Sequence, residues 1–158
     1  MSSRFVILRR ELAANAVDVI SRAYPEQLKT IQMVQVGDGA ELKQIRWAAM
    51  TPDWSFEATG FPQAYKAQRI TLELQARCDY LDRTLDARFA LLCQVLEDFT
   101  GWGQPVSPNS LQLKDVLTSS ESDGITVLSV TPESGSETIE NEDFVVSYRL
   151  SCLVCGKQ

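Results

Sequence analysis

At 158 residues the chain is long enough for one domain whose core needs neither disulfides nor metal to hold it. A net charge of −6, with basic residues scattered along the sequence, argues against nucleic acid as the main partner, because phosphate binding needs clustered Lys and Arg. The chain contains no histidine, which removes the usual general base near neutral pH and the commonest metal ligand.

The distribution of apolar residues bears on the cellular compartment. No stretch approaches the ~20 apolar residues that a membrane-spanning helix requires. Arg9, Arg10 and Glu11 interrupt the N-terminal region, where a secretory signal would keep an apolar stretch. We therefore expect a cytoplasmic protein with no membrane partner, and we expect its four cysteines to be reduced thiols.

The first quarter of the chain predicts a helix and a short strand. Apolar residues recur every three or four positions over Arg4–Ala23, which predicts an amphipathic helix that ends before Pro25. A looser alternation predicts a strand over residues 30–36. The glycines at 37 and 39 flank Asp38 and predict a tight turn there.

The next segment has a less regular pattern. The spacing of apolar residues over 40–49 predicts a short helix. Residues 50–63 are rich in Pro, Gly and aromatic residues, and they predict a long ordered loop or an irregular hairpin. Together with the preceding turn, these stretches make residues 37–66 a long aromatic-rich insertion.

The second half of the chain shows the clearest patterns. Strict alternation over residues 67–78 predicts a strand with one buried face and one wet face. A helical stripe over residues 85–100 predicts a second helix, closed by Gly101 in the left-handed conformation. Three further strands are predicted over residues 111–118, 124–131 and 143–155, separated by turns at 119–123 and 132–142.

This element order predicts the fold class. The order α-β-β-α-β-β-β indicates a single α+β domain over residues 1–158. We expect a mostly antiparallel or mixed sheet of about five strands, with the two main helices packed on one face.

Cys152 and Cys155 form a C-x-x-C sequence, which can indicate zinc binding or redox chemistry. The surrounding sequence does not favour either function here. The pair lies within an alternating strand pattern, where a separation of three directs two side chains to opposite faces. A zinc site would also have to recruit Cys78 and Cys93, which form no local pair. We interpret the cysteines as buried reduced thiols, with a metal site or a redox pair as the alternatives.

Carboxylates show no convergent pair of the kind that acid–base hydrolysis needs. Glu97 and Asp98 fall on the second helix, and Asp79 and Asp82 precede it. We interpret them as solvated side chains. The sequence predicts no catalytic residue, no cofactor and no metal ligand.

An aromatic cluster is the strongest candidate for function. Trp47, Trp54, Phe56 and Phe61 crowd into the irregular segment, with Arg46 beside them. Aromatic residues and arginine are enriched at interaction hot spots, so we predict partner binding by Arg46, Trp47, Trp54 and Phe61. The alternative is a loop folded over its own small satellite core.

Four stretches carry a resemblance to a known family. They are the apolar stripe from Phe5 to Ala23, the strand at residues 69–76, the helix at 85–99 and the closing strand at 144–150. By the order of these four elements, the chain resembles the tail terminator (tail completion) family of long-tailed bacteriophages. The resemblance implies two helices against a mixed sheet, and a homo-oligomeric ring, hexameric in that family. It also implies a ring that caps the tail tube, contacts tail and head-connector proteins, and becomes part of the virion.

Two functions of other classes remain open at this point. One is a small-ligand-binding domain or an enzyme that uses carboxylates or cysteines. The other is a generic intracellular protein–protein adaptor. The family that the chain resembles implies no catalytic residue. Measuring the mass of the assembled protein would distinguish a ring from both of these other functions.

Overall fold

The computed structural model describes residues 4–29, 32–33, 45–57, 67–79, 86–101 and 125–156. In chain order the elements are helices α1 (Arg4–Ala23) and α2 (Pro25–Leu28), strands β1 (Gln32–Met33), β2 (Arg46–Glu57) and β3 (Ala67–Asp79), helix α3 (Asp86–Phe99), and strands β4 (Ile125–Glu140) and β5 (Asp143–Gly156).

The strands form one mixed sheet in the order β1-β2-β3-β5-β4. Only β1 and β2 are parallel, and the other neighbouring strands are antiparallel. The predicted α+β class is therefore confirmed, as are the helix over Arg4–Ala23 and the strands that begin at Ala67 and Asp143.

Both long helices pack on the same face of the sheet, as predicted. From α3, Phe89 stacks edge-on against Phe144 with their ring centroids 5.6 Å apart. From α1, Arg9 lies over Trp54, whose cross-strand neighbour is Ile70 of the core. Burying these apolar stripes against the sheet is the main source of stability. The largest fully buried side chains in this core are Leu12, Ile20, Ile45, Trp47, Ile70, Leu72, Leu74, Leu92, Leu96 and Leu150.

The opposite face of the sheet carries ion pairs between strands. Asp143, at the start of β5, contacts both Arg46 of β2 and Arg77 of β3. Farther along the sheet, the guanidinium of Arg149 lies 2.8 Å from the carboxylate of Glu73. Glu73 is itself buried, so this face of the sheet is less exposed to solvent than the sequence predicted.

Strand β2 corrects two predictions. The predicted helix over residues 40–49 is wrong for residues 46–49, which belong to β2. Over residues 50–63 the sequence predicted an ordered loop or an irregular hairpin, and the loop is wrong for residues 50–57, which belong to β2 and pair antiparallel with β3. The strand pairs residue by residue with β3 and tolerates Pro52 at a bulge between Met50 and Asp53. Pairing along the sheet thus outweighs the local turn and helix preferences. Residues 40–44 and 58–63 lie outside the described residues.

Strand β4 corrects a third prediction. The predicted turn over residues 132–142 is wrong for all but its last two positions, since β4 continues to Glu140. Asn141 and Glu142 make the turn, with φ of 52° and 69°. Two successive left-handed residues are the requirement of a type I′ hairpin turn, whose twist matches that of the strands.

The other predicted elements are described only in part. Helix α3 ends at Phe99, and Gly101 has the left-handed φ of 82° expected of the residue that closes a helix. Of the strand predicted over residues 30–36, the described part is β1. The turn at 37–39, the strand at 111–118 and the turn at 119–123 lie outside the described residues.

Candidate interaction surface

The outer half of β2 is exposed to solvent on both of its faces. Five consecutive residues, 52–56, are exposed, whereas the inner residues 45–48 are all buried. Trp54 and Phe56 stand opposite Ile70 and Gln68 of β3, so they project on the side of the sheet that carries the helices. Their exposed fractions are 42% for Trp54 and 69% for Phe56.

Contacts within the subunit hold these two rings in place. Trp54 and Phe56 meet edge to face, with ring centroids 5.1 Å apart and planes at 87°. The guanidinium of Arg9, on α1, lies 4.4 Å from the centroid of the Trp54 ring. Such cation–π and edge-to-face contacts favour one geometry of the rings. We call Arg9, Trp54 and Phe56 the aromatic patch.

A buried amide lies beside the aromatic patch. Gln68 is fully buried and is the cross-strand neighbour of Phe56. Within the described part of the chain, neither polar atom of its side chain has a hydrogen-bond partner. An unsatisfied buried amide of this kind costs about 1–3 kcal/mol. The sheet under the aromatic patch is therefore less stable than it would be with an apolar residue there.

The structure does not gather the predicted partner-binding residues at one surface. Trp47 is only 2% exposed and packs in the main core. Arg46 projects to the opposite face, where it is buried and bonded to Asp143. Of the four predicted residues, only Trp54 is seen at the surface, and Phe61 lies outside the described residues. Partner contact by Trp47 and Arg46 is therefore corrected, because both side chains lie inside the folded subunit.

The satellite-core alternative is also revised. Trp47 is part of the core that both helices share with the sheet. Trp54 and Phe56 instead lie at the border of that core, with much of their surface in water. Trp47 and Trp54 belong to the same strand but to different environments.

The cysteines occupy the interior as free thiols. Cys152 faces the helices beside Ile70, and Cys155 lies on the other face of the sheet beside Ala67. Burial raises the pKa of Cys152 to about 12. Burial likewise raises the pKa of Cys93 to about 11, despite its hydrogen bond with Tyr148. At neutral pH both thiols therefore favour the protonated form, which is a weaker nucleophile than the thiolate.

Two carboxylates expected in solvent instead anchor α3. The hydroxyl of Tyr148 donates to Glu97 over 3.0 Å, and the hydroxyl of Tyr24 donates to Asp98 over 3.0 Å. Burial is the main reason that the pKa of each tyrosine lies above its usual value, and the carboxylate hydrogen bond adds to it. These contacts tie the last turns of α3 to β5 and to the start of α2.

Neither a metal site nor a membrane-spanning helix is found among the described residues. Among them, no group of three or more Cys, Asp or Glu side chains is placed to hold a metal ion. None of the helices described is both long enough and apolar enough to cross a membrane. No protein-family model matches the chain, and no curated protein matches it in sequence.

Sequence reasoning missed two of the three residues of the aromatic patch. Phe56 belonged to the aromatic cluster but was not among the predicted binding residues. Its spacing of two from Trp54 is the signal of a shared strand face, available once the segment is treated as a strand. Arg9 lies 45 positions earlier on a helix, so no local pattern points to its contact with Trp54.

Proposed function

We propose that this chain is a non-catalytic assembly protein of the tail terminator type, which associates with copies of itself through the aromatic patch. The observation that carries the proposal is the pair of exposed, mutually packed rings of Trp54 and Phe56. In the proposed ring, each subunit buries this pair against its neighbour. The ring caps a tail tube and joins it to head-connector proteins.

The chemistry of the aromatic patch supports a contact role. Aromatic side chains bury large areas with few rotatable bonds, so their ordering on binding costs little. The rings are already positioned by Arg9 and by pairing with β3, which lowers that cost further. An exposed patch of this kind is typical of a protein–protein interaction site.

The arrangement of elements supports the same proposal. The family that the chain resembles has two helices against a mixed sheet, and this chain places α1 and α3 on one face of such a sheet. The four stretches that carry the resemblance coincide with α1, β3, α3 and β5. A shared fold is compatible with many functions, so the aromatic patch, not the fold, carries the proposal.

The absence of catalysis is proposed on chemical grounds. The sequence has no histidine, and burial keeps Cys93 and Cys152 protonated at neutral pH. Glu97 and Asp98 each accept a hydrogen bond from a tyrosine, which suits an anchoring role.

Sedimentation velocity of the purified protein over a range of concentrations tests the proposal. We expect a species near six times the 17.6 kDa mass of the chain. Trp54→Ala with Phe56→Ala should weaken association by about 1–4 kcal/mol per anchor residue. Thermal unfolding of the same variant should change less than that of a core variant such as Trp47→Ala, because Phe56 is 69% exposed and Trp54 is 42% exposed in the subunit.

Ile139→Ala is the matched control. Ile139 is 57% exposed, and its strand lies at the other end of the sheet order. The control should leave the mass distribution unchanged. A wild-type protein that stays monomeric at high concentration contradicts the proposal, and a dimer that resists the double substitution favours the adaptor function instead.

A further inference from the structure

The far part of β4 lies at an edge of the sheet and is exposed to solvent. All eight residues from 133 to 140 are exposed, although they alternate between the two faces of the strand. Among the described strands, β4 pairs with β5 alone. An edge strand presents backbone N–H and C=O groups along its outer side, which is a template for pairing with another strand.

The two parts of β4 differ in how this edge is protected. Register shifts between Val127 and Ser129 and between Pro132 and Ser134 make the first part irregular. Bulges and proline are common devices that prevent strand pairing at an edge. From Ser134 to Glu140 the register with β5 has no shift, and this part contains no proline. The regular part of the edge is also the exposed part.

The charged side chains of β4 itself are all acidic, and one of them, Glu140, is paired with Arg77 of β3. Glu133, Glu137 and Glu140 are exposed along it, and β4 contains no Lys or Arg from end to end. Lysine is a frequent guard on natural edge strands. Ile139 lies two positions from Glu137, so the two side chains share the face of the sheet that carries the helices. One face of this edge therefore offers a negative charge beside an exposed apolar group.

We propose that residues 134–140 of β4 bind an extended basic segment of a partner protein, which adds to the sheet as a further strand. Backbone hydrogen bonds to the outer side of β4 supply the pairing, as in other strand-addition complexes. A Lys or Arg of the partner lies opposite Glu137, and a β-branched apolar residue two positions away lies opposite Ile139. Cross-strand pairs of opposite charge stabilise such a register.

Charge argues against a second copy of this chain as the occupant. Pairing β4 with β4 of another copy would bring glutamates against glutamates, and like charges on facing strands are destabilising. Pairing β4 with the outer half of β2 meets the same obstacle, because residues 50–57 include Asp53 and Glu57 and no basic residue. This inference uses a different surface from the aromatic patch and does not depend on the proposed function.

The test is a titration with a short labelled peptide, followed by fluorescence anisotropy. The probe is a capped peptide of alternating Thr and Lys with one central Val. Two control peptides carry Glu in place of Lys, or Pro in place of the central Val. At low salt we expect binding of the first peptide only, with hydrogen-exchange protection confined to β4 residues 134–140. The proline peptide keeps the charge but cannot complete the backbone pairing.

Charge-reversal variants locate the site on the protein. Glu133→Lys with Glu137→Lys should weaken binding of the basic peptide by at least about tenfold. The matched control, Glu26→Lys with Asp53→Lys, makes the same change in net charge at exposed positions on α2 and β2. It should change the affinity by less than about threefold, since it alters only the long-range field.

Four outcomes would overturn the inference. They are no binding of the basic peptide at low salt, equal binding of the proline peptide, and equal loss in the two charge-reversal variants. The fourth is protection of residues 134–140 that rises with protein concentration in the absence of peptide, which would assign the edge to a second copy. A monomeric protein that binds the peptide as expected retains this inference while the proposed function fails.

Discussion

The two halves of strand β2 share one backbone conformation and have opposite surroundings. In the inner half, Trp47 packs in the core on one face, and Arg46 is buried against Asp143 on the other. In the outer half, Trp54 and Phe56 lie at the border of the core, with Trp54 partly exposed and Phe56 largely exposed. A tryptophan in this strand therefore serves either the stability of the subunit or its contacts, and its position decides which.

Substituting the two tryptophans one at a time is the strongest test of this difference. Trp47→Ala should lower the free energy of unfolding by about 3–5 kcal/mol, because it leaves a cavity in a packed core. Trp54→Ala should lower it by only about 1–2 kcal/mol, since the ring is partly in water and the loss is mainly that of its contacts with Phe56 and Arg9. Urea unfolding followed by circular dichroism measures both. Equal losses would show that the aromatic patch is core.

Breaking the ion pair between Asp143 and Arg46, on the polar face of the inner half of β2, should have the next largest effect on the free energy of unfolding. Asp143→Ala leaves the buried guanidinium of Arg46 without its carboxylate, and we expect a loss of about 2–3 kcal/mol. Glu140→Ala is the control, because Glu140 pairs with Arg77 at the surface and should cost no more than about 0.5 kcal/mol. A difference smaller than the error of urea unfolding would contradict the role assigned to Asp143.

Unfolding at alkaline pH tests how well water is excluded from the core beside the exposed half of β2. Cys152 is buried, and its pKa rises from 9.0 to about 12 on folding. The unfolded chain therefore loses this proton first, so stability is fully present below pH 9 and falls as pH rises toward 12. The slope from this thiol is up to about 1.4 kcal/mol per pH unit.

Urea unfolding in reductant from pH 8 to pH 11 measures the slope. Cys152→Ala should have a shallower slope than the wild type, whatever its stability at pH 8. The remaining slope is expected from Cys93, whose pKa rises to about 11 on folding, and toward pH 11 from Tyr24 and Tyr148, since burial also raises the pKa of each of these tyrosines. Identical slopes for the variant and the wild type would show that Cys152 is not the group that titrates.

The smallest expected effect concerns Gln68, beneath the aromatic patch. Gln68→Met removes an unsatisfied buried amide at similar volume, so the variant should be as stable as the wild type or up to about 1 kcal/mol more stable. Gln75→Met is the control. Gln75 hydrogen-bonds both Glu73 and Arg77, so its loss should cost about 1 kcal/mol. Destabilisation of both variants alike would show that Gln68 has a partner.

Most elements with one buried face could be predicted from the sequence. Helix α1 and strand β3 each present a regular apolar stripe, because one side of each meets the core. The outer half of β2 and the far part of β4 could not be predicted in this way. Both are exposed on both faces, and Pro52 and Pro132 locally favour turns, so the short alternation of Trp54 and Phe56 with polar neighbours is the only strand signal in the outer half of β2.

The sequence predicted which types of residue form the candidate site better than it predicted which positions do so. Trp54 was predicted as a contact residue and lies at the surface, whereas Trp47, seven positions earlier, was predicted likewise and lies in the core. The two residues look alike in the sequence. Their difference comes from the register with β3, which places Trp47 opposite Ala76 in the packed part of the sheet and Trp54 opposite Ile70 near its border.

The sequence by itself determined the α+β class and the two long helices on one face of the sheet. These follow from periodicity and composition, which record whether a residue meets the core. Only the tertiary structure decided which aromatic residues reach the surface, that Arg9 stacks on Trp54, and that Asp143 joins two arginines from other strands. Such contacts join residues far apart in the chain, and they exist only once the strands are in register.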